Sequence, residues 1–227
     1  MIERTLDDVE DRAAIHRALG DPTRLRIVDA LQLSDRSPTQ LGQLLELPTN
    51  LLAFHLGVLE EAGLVVRTPS QGDARRRYVA LGRHSSSSLD EPRPLAGPLE
   101  RVLFVCTANS ARSQLAAALW HARTGQPALS AGTEPATHVH PLAIEVARER
   151  GIDLDDATPT GYDAIATTPD LVVSVCDRAH ESQVDAAVPR LHWSIPDPVG
   201  GPRRAFARTY DDLAVRVDRL ARAACAA

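Results

Sequence analysis

The sequence VLFVCTANSARSQLAAALW, residues 102–120, joins a short apolar run to a longer segment whose apolar residues recur at helical spacing. The run from Val102 to Cys106 predicts a buried strand, and the segment that follows the turn predicts a helix. Cys106 and Arg112 lie on either side of this turn, in a C-x5-R arrangement. A strand, a tight loop and a helix in this order are typical of the parallel sheets of α/β proteins.

The turn between the strand and the helix has the chemistry of an oxyanion site. Its backbone N–H groups and the positive end of the helix form a cradle for a tetrahedral oxyanion, and Arg112 can grip two of the anion's oxygens. The same positive field favours the thiolate form of Cys106, which is the nucleophilic form. Asn109 tolerates a left-handed backbone, and the Ser113 hydroxyl can donate to the thiolate. The predicted oxyanion-binding loop consists of Thr107, Ala108, Asn109, Ser110, Ala111, Arg112 and Ser113.

The rest of the chain predicts two domains. Residues 1–81 combine several helical patterns with two short strands around Gly72-Asp73, which favours a mainly α winged helix-turn-helix domain. Residues 82–99 are rich in Ser, Pro and Gly and predict a flexible linker. Residues 100–227 alternate apolar strands with helices, as in an α/β, doubly wound, four-stranded parallel sheet with helices on both faces. The predicted strands of this domain cover residues 102–106, 128–131, 171–176 and 191–194.

The composition excludes several classes of protein to which the chain could belong. The 227 residues are 44% hydrophobic, which is typical of globular domains, and the net charge of −5 confines any nucleic-acid site to a local basic patch. No apolar run approaches the ~18 residues of a membrane helix and the acidic start is unlike a signal peptide, so we expect a cytoplasmic protein without membrane contact. Three cysteines are too few for a disulfide framework. The spacing of the histidines and cysteines predicts no metal site.

The first domain resembles the arsenical-resistance repressor (ArsR-type) family over roughly residues 10–81. The resemblance rests on ALGDPTRLRIVDAL, on LLAFHLGVLEEAGLVVR and on the arginine-rich hairpin that follows. It implies a homodimer that binds a DNA operator, with Arg75, Arg76 and Arg77 on phosphates. The sequence has no cysteine on the helix before the reading helix, where the family's arsenic sensors commonly carry them, so we expect no soft-metal site of that type.

The reading helix of this domain departs from the family pattern. The candidates for base contacts are Thr49, Asn50 and His55, although His55 can equally be a structural residue of the helix. Apolar side chains occupy positions where the family usually offers polar groups to bases. These side chains belong to Leu51, Leu52, Ala53 and Phe54. They put sequence-specific reading of DNA in doubt.

The second domain resembles the low-molecular-weight tyrosine phosphatase superfamily, and in particular its arsenate reductase branch, over nearly all of residues 100–223. Four segments in the same order carry the resemblance: FVCTANSARSQLA, SAGTEPATHVHPLAIEVARERGIDL, DLVVSVCDRAHES and LHWSIPDP. The resemblance implies a flavodoxin-like winding with the loop at the carboxyl end of the first strand. It also implies that Cys106 is the nucleophile, Arg112 the oxyanion clamp and Asp197 the acid that protonates the departing oxygen. Without the other motifs, Asp197 reads as an Asp-Pro turn.

Reduction of arsenate requires a second thiol, whereas a phosphatase requires only water. Cys176 matches the resolving cysteine of thioredoxin-coupled reductases, and its alternative is a buried strand cysteine. Gln183 stands where those enzymes carry a further relay cysteine, and Cys225 is expected to take no part. Two routes remain, a Cys106–Cys176 disulfide reduced by thioredoxin, or attack by an external thiol of the mycothiol and mycoredoxin type. Neither route needs a bound cofactor.

The sequence therefore favours thiol-dependent reduction of arsenate to arsenite through a Cys106 thiol-arsenate adduct, coupled to a DNA-binding domain that regulates arsenic-resistance genes. One alternative is a protein tyrosine phosphatase. The sequence PVGG after Asp197 argues against it, because the superfamily's phosphatases usually carry tyrosines there. The other alternative is a transcription regulator whose second domain only senses an oxyanion.

Overall fold

The computed structural model describes residues 6–82, 92, 94, 95, 97, 99–182 and 188–225. The chain forms two compact units, one made of Met1–Pro69 and Arg75–Asp90 and the other of Ser70–Ala74 and Glu91–Ala227. Most of the predicted linker and Gln183 lie outside the described residues. Within the described part of the chain, no helix has the length and apolar character needed to cross a bilayer.

The first unit contains four helices followed by a two-stranded hairpin. The helices are α1 (Leu6–Leu19), α2 (Pro22–Leu31), α3 (Pro38–Leu45) and α4 (Thr49–Glu61), and the strands are β1 (Val65–Pro69) and β2 (Arg77–Leu81). The strands are antiparallel, with Val65 opposite Leu81. Fully buried side chains from the helices and the hairpin form one core, among them Ile27, Leu41, Leu59, Leu64 and Val79. This arrangement is a helix-turn-helix with a wing, as the sequence predicts.

Two helix starts in this unit are fixed by side-chain caps. The Asp21 carboxylate accepts hydrogen bonds from the backbone N–H groups of Thr23 and Arg24. Ser37 and Gln40 form a reciprocal capping box at the start of α3. Both helices also have proline in the first turn, where the missing N–H is no loss. These caps set the directions of the helices that lead into α4.

The second unit is a four-stranded parallel sheet with the strand order β4-β3-β5-β6. Its strands are β3 (Val102–Cys106), β4 (Ala128–Gly132), β5 (Leu171–Ser174) and β6 (Arg190–His192). Its helices are α5 (Arg112–Thr124), α6 (Pro141–Arg148), α7 (Asp177–Glu181) and α8 (Arg203–Cys225), with a short 3-10 helix at Tyr162–Ala164. Because β3 lies between β4 and β5, the chain reverses direction across the sheet at the end of β3, which is where ligands of such sheets bind.

The strand β3 occupies the centre of this unit. All five of its residues are buried, which explains why it reads as a continuous apolar run rather than an alternating one. The Phe104 ring packs 5.9 Å from the Trp193 ring and 6.5 Å from the Trp120 ring, measured between centroids. The helix α8 covers α5 and α6 with a buried apolar stripe. These layers hold the carboxyl end of β3 in a fixed position.

Three strands of the sheet differ in their bounds from the sequence prediction. The strand β4 extends one residue further, to Gly132. The strand β5 ends at Ser174 rather than at residue 176, because Cys176 is already the N-cap of α7. The strand β6 covers Arg190–His192 rather than residues 191–194.

Candidate active site

The loop after β3 is held by backbone hydrogen bonds to the segment that follows β4. Its carbonyl oxygens accept from this segment: Thr133 N donates to Cys106 O at 3.1 Å, and Glu134 N donates to Thr107 O at 2.8 Å. The pattern continues at Ala108 O and Ser110 O, which also accept from backbone N–H groups. Because the N–H of a trans peptide points opposite to its C=O, these bonds turn loop N–H groups away from the anchoring segment. The loop thereby acquires the inward N–H groups that an oxyanion needs.

Asn109 shapes this loop. Its φ of 49° is left-handed, as the sequence predicts for this position. The side chain is fully buried, and its Nδ2 donates to Ser113 Oγ at 2.8 Å. Its Oδ1 accepts from Gln114 Nε2 at 3.1 Å and from Thr160 N at 2.8 Å. Every polar atom of the amide is therefore used to hold the loop.

The Cys106 sulfur lies inside the loop and is 2% exposed as a residue. It accepts a hydrogen bond from Asn109 N at 3.2 Å, and Ser113 Oγ lies 3.0 Å from it. Ser113 Oγ also accepts from the Asn109 amide, which leaves its own proton available to a thiolate at Cys106. The Asn109 N–H and the Ser113 hydroxyl are thus both placed at the sulfur.

Arg112 is the first residue of α5 and is buried. Its Nη1 donates to Ile195 O at 3.0 Å, and its Nη2 lies 2.8 Å from Asp197 Oδ2. The Asp197 side chain is 46% exposed, and its other oxygen accepts from Val199 N. The structure therefore brings the predicted clamp and the predicted acid into direct contact beside the loop. A guanidinium has donors to spare after these two contacts.

The Cys176 sulfur also borders the loop. It lies 3.5 Å from Thr107 Oγ1, and Ala179 N donates to it at 3.4 Å. Burial raises the pKa of the Cys176 thiol, and the positive charge of Arg112 opposes this effect in part. Cys225, by contrast, is exposed at the end of α8. Cys106 and Cys176 are the two cysteines that the structure places at the same loop.

Sequence reasoning missed a polar cluster beside Cys176. His192 Nε2 lies 3.1 Å from Asp177 Oδ1, and both residues are buried. The His180 and His192 rings stack with centroids 4.0 Å apart, and Ser174 Oγ lies within hydrogen-bond distance of both Nδ1 atoms. Burial raises the pKa of Asp177, but hydrogen bonds, of which the largest effect comes from His192, outweigh it and lower that pKa. No local sequence pattern indicates this cluster, because it depends on the register that pairs Ser174 with His192 across β5 and β6.

The candidate DNA contacts of the first unit differ in exposure. Thr49 and Asn50 are exposed in the first turn of α4. Arg75 and Arg76 are exposed before β2, and Arg77 is exposed as the first residue of that strand. His55 is 6% exposed, and its Nδ1 lies 3.9 Å from Asp21 Oδ1. Of the two interpretations of His55, this burial fits the structural one, because a side chain packed inside the unit presents no donor to a base.

No group of three or more His, Cys, Asp or Glu side chains within the described ranges is arranged to hold a metal ion.

Two family models match the chain. Residues 101–226 match the model described as low molecular weight phosphotyrosine protein phosphatase, and residues 19–68 match the model described as helix-turn-helix domain.

Similar proteins cover the second unit. An arsenate reductase of Brevibacillus brevis is 35% identical over 127 residues, which are 53% of this chain and 92% of that protein. Arsenate reductase 1 of Bacillus cereus is 37% identical over 125 residues, with the same coverage of 53% and 92%. The crystal structure of arsenate reductase from Archaeoglobus fulgidus superposes with a TM-score of 0.48 at 33% identity, covering 53% of this chain and 98% of that one.

Proposed function

Because the chain belongs to the low molecular weight phosphotyrosine protein phosphatase family, we propose that it reduces arsenate to arsenite with thiols, through an adduct on Cys106. The observation that carries the proposal is the position of a second cysteine. Cys176 lies against Thr107 of the same loop that holds Cys106. Hydrolysis of a phosphoester requires only water, whereas the internal-disulfide route of arsenate reduction requires a second cysteine at this loop. The similarity to proteins named arsenate reductase supports this choice.

In the first step the Cys106 thiolate attacks the arsenic atom of arsenate. A sulfur–arsenic bond forms and the bond from arsenic to one hydroxyl group breaks, and this hydroxyl leaves as water after it receives a proton from Asp197. Arg112 and the loop N–H groups hold the remaining oxygens, so charge that develops on them meets donors already in place. Ser113 stabilises the thiolate before the attack.

In the second step a thiolate attacks the Cys106 sulfur. A disulfide forms, and the electron pair of the sulfur–arsenic bond goes to arsenic, which leaves as arsenite. Arsenic is reduced by two electrons, and the two thiols are oxidised to one disulfide. Cys176 is the internal candidate for this thiol. An external reductant then restores both cysteines.

The identity of the reductant distinguishes two routes. In one, thioredoxin reduces a Cys106–Cys176 disulfide. In the other, a small thiol of the mycothiol type resolves the adduct, and a mycoredoxin regenerates Cys106. We favour the internal disulfide because the Cys176 sulfur contacts the loop.

Arsenite formation by the purified full chain tests the proposal. The assay measures arsenite by chromatography with arsenic detection, with either a thioredoxin system or mycothiol and mycoredoxin as the reductant. Cys106→Ser should abolish turnover, and Cys225→Ser, the matched control at an exposed site, should leave it unchanged. Cys176→Ser should lose the thioredoxin-driven reaction and keep any mycothiol-driven one.

Three results would contradict the proposal. Full activity of Cys106→Ser would exclude the adduct. Hydrolysis of phosphotyrosine without any arsenite would favour the phosphatase. A change in DNA binding on addition of arsenate, again without arsenite, would favour a sensor domain that performs no chemistry.

For the first unit we propose binding to an operator that controls arsenic-resistance genes, as a homodimer matched to two half-sites. The helix-turn-helix match and the exposed Thr49, Asn50 and Arg75–Arg77 positions support it. Operators and reducing thiols are both found in the cytoplasm, which is the compartment that we propose. A gel shift with the promoter of an arsenic-resistance operon, with and without arsenite, tests the binding, and light scattering tests the dimer. No shift at low salt would contradict it.

A further inference from the structure

The helix α4 presents an apolar face to solvent at its N-terminal end. The Phe54 side chain is 62% exposed and Leu51 is 40% exposed, and Ala53 between them is exposed as well. The opposite face of the helix is buried in the core of the unit through Leu52, His55, Leu56 and Leu59. The exposed apolar side chains are therefore not left over from packing, because the core of the unit is complete without them.

The polar groups on this end of α4 are few. In the first two turns, which the structure describes in full, the exposed polar side chains are those of Thr49 and Asn50. An asparagine amide can donate to and accept from adenine N6 and N7 at once. A threonine offers a hydroxyl and a methyl group. The face thus carries one side chain suited to adenine and several that form no hydrogen bond.

DNA is the partner that fits this face. The N-terminal residues of the second helix of a helix-turn-helix approach base edges in the major groove. That helix is α4, which lies within the matched residues 19–68. Arg75, Arg76 and Arg77 add exposed positive charge to the same unit of a chain whose net charge is −5. In the major groove, the C5 methyl of thymine is the apolar group that a base edge offers.

We propose that Leu51, Ala53 and Phe54 pack against thymine methyl groups and that Asn50 binds an adjacent adenine, so that α4 selects A·T-rich half-sites. This inference rests on the proposed DNA binding of the first unit. It accounts for the small number of polar side chains at this end of α4: the helix reads thymine methyl groups beside the single adenine that Asn50 contacts.

The first part of the test is selection from a random DNA pool with the full chain at low salt. We expect A·T pairs at the positions under α4. In the second part, each selected thymine is replaced by deoxyuridine, which removes only the methyl group. Binding by the wild type should weaken about fourfold for each methyl that was packed.

Three variants distinguish contacts to thymine methyl groups from contacts that raise the affinity for any DNA. Phe54→Ala should weaken binding to the thymine duplex and lose most of its sensitivity to deoxyuridine, because the partner of the methyl is gone. Leu25→Ala removes an equally apolar side chain, 44% exposed on α2, and should keep the wild-type sensitivity. Arg76→Ala should weaken both duplexes by the same factor, since a phosphate contact ignores the base.

Equal affinity of the wild type for thymine and deoxyuridine duplexes would overturn the inference and leave the proposed DNA binding intact. Absence of binding to any duplex at low salt would overturn both. Conversion of a dimer into a monomer by Phe54→Ala, seen by light scattering, would show that a second copy of the chain covers the face, and would overturn the inference as well.

Discussion

Arg112 Nη2 lies 2.8 Å from Asp197 Oδ2, so the residue that closes the anion-binding loop also contacts the carboxylate proposed as the acid. The guanidinium is buried and anchored a second time on Ile195 O. The proposed anion clamp and the proposed acid are therefore joined by one ion pair.

Replacement of Arg112 by lysine tests whether a planar guanidinium is needed to hold the anion. In Arg112→Lys we expect kcat/KM for arsenate to fall about 10²–10³-fold, because an ammonium cannot hold two oxygens and contact Ile195 O and Asp197 together. Steady-state arsenite assays measure this. Arg123→Lys on the same helix changes an exposed pair with Asp218 and should match the wild type. Comparable activity of the two variants would contradict the clamp.

Removal of the proposed acid should affect turnover more than binding. Asp197→Asn keeps the shape of the side chain but has no proton to give, so we expect kcat to fall about 10²–10⁴-fold with a small change in KM. The exposed Asp218→Asn serves as the control. A wild-type kcat for Asp197→Asn would show that Asp197 has only the role of a turn residue.

The second thiol should make disulfide formation depend on pH. Burial raises the pKa of Cys176, so its thiolate is scarce near neutrality and increases as the pH rises towards that raised pKa. In a single turnover with Cys225→Ser protein, the rate of Cys106–Cys176 disulfide formation should increase about tenfold per pH unit below this pKa. Alkylation and mass spectrometry measure the rate.

Two variants at Thr107 serve as controls for this experiment. The Thr107 hydroxyl lowers the pKa of Cys176 in part, so Thr107→Val should shift the pH dependence of the rate to higher pH. Thr107→Ser keeps a hydroxyl and should show the same pH dependence as the protein with Thr107. Formation of arsenite without any Cys106–Cys176 disulfide would indicate that an external thiol resolves the adduct.

Loss of the Asn109 amide should destabilise the second unit. Asn109→Ala removes a hydrogen-bond partner from the buried Ser113 and Gln114 and from the half-buried Thr160, and it places an alanine at a φ of 49°. Unsatisfied buried groups cost about 1–3 kcal/mol each, so the free energy of unfolding should fall by at least about 2 kcal/mol. Calorimetry of the full chain measures this, with the exposed Asn50→Ala as the unaffected control.

Close backbone packing at Gly132 leads to a further prediction. A Cβ on Gly132 would lie 2.6 Å from Thr107 O and 3.0 Å from Asn109 N, and backbone atoms cannot give way without moving the loop. Gly132→Ala should therefore lower kcat/KM at least about tenfold. Gly57→Ala, whose Cβ would meet nothing within 4 Å, should instead stabilise α4 by about 0.5–1 kcal/mol. Unchanged activity in Gly132→Ala would show that the loop adapts.

Much of the architecture was predictable from the sequence. The parallel sheet followed from apolar strands that alternate with helices, and the wing followed from two strands around Gly72-Asp73; the order of a helix-turn-helix domain and a phosphatase-type domain is confirmed. The left-handed Asn109 was predictable because asparagine tolerates that conformation. The end of β5 was not, since Val175 and Cys176 prolong the apolar run although Cys176 caps α7.

Contacts between segments that are distant in the chain could not be predicted from the sequence. The pair of Asp177 and His192 depends on the register of β5 and β6, which no local pattern encodes. The contact between Arg112 and Asp197 depends on where the segment after β6 crosses the loop. His55 is different, because it continues the apolar stripe of Leu52 and Leu59, and this periodicity indicates burial.

The position of α8 in the chain means that the two units can fold at different times during synthesis. Its buried stripe completes the core around the sheet that carries Cys106. The side chains of this stripe belong to Phe206, Thr209, Tyr210, Leu213, Val217, Leu220 and Ala223. A ribosome releases the chain from its N-terminus, so residues 6–82 emerge long before α8 does. The core of the helix-turn-helix unit can form on the nascent chain, whereas the sheet stays uncovered until α8 has been synthesised. During this interval the apolar side chains of the sheet are open to aggregation and to chaperones.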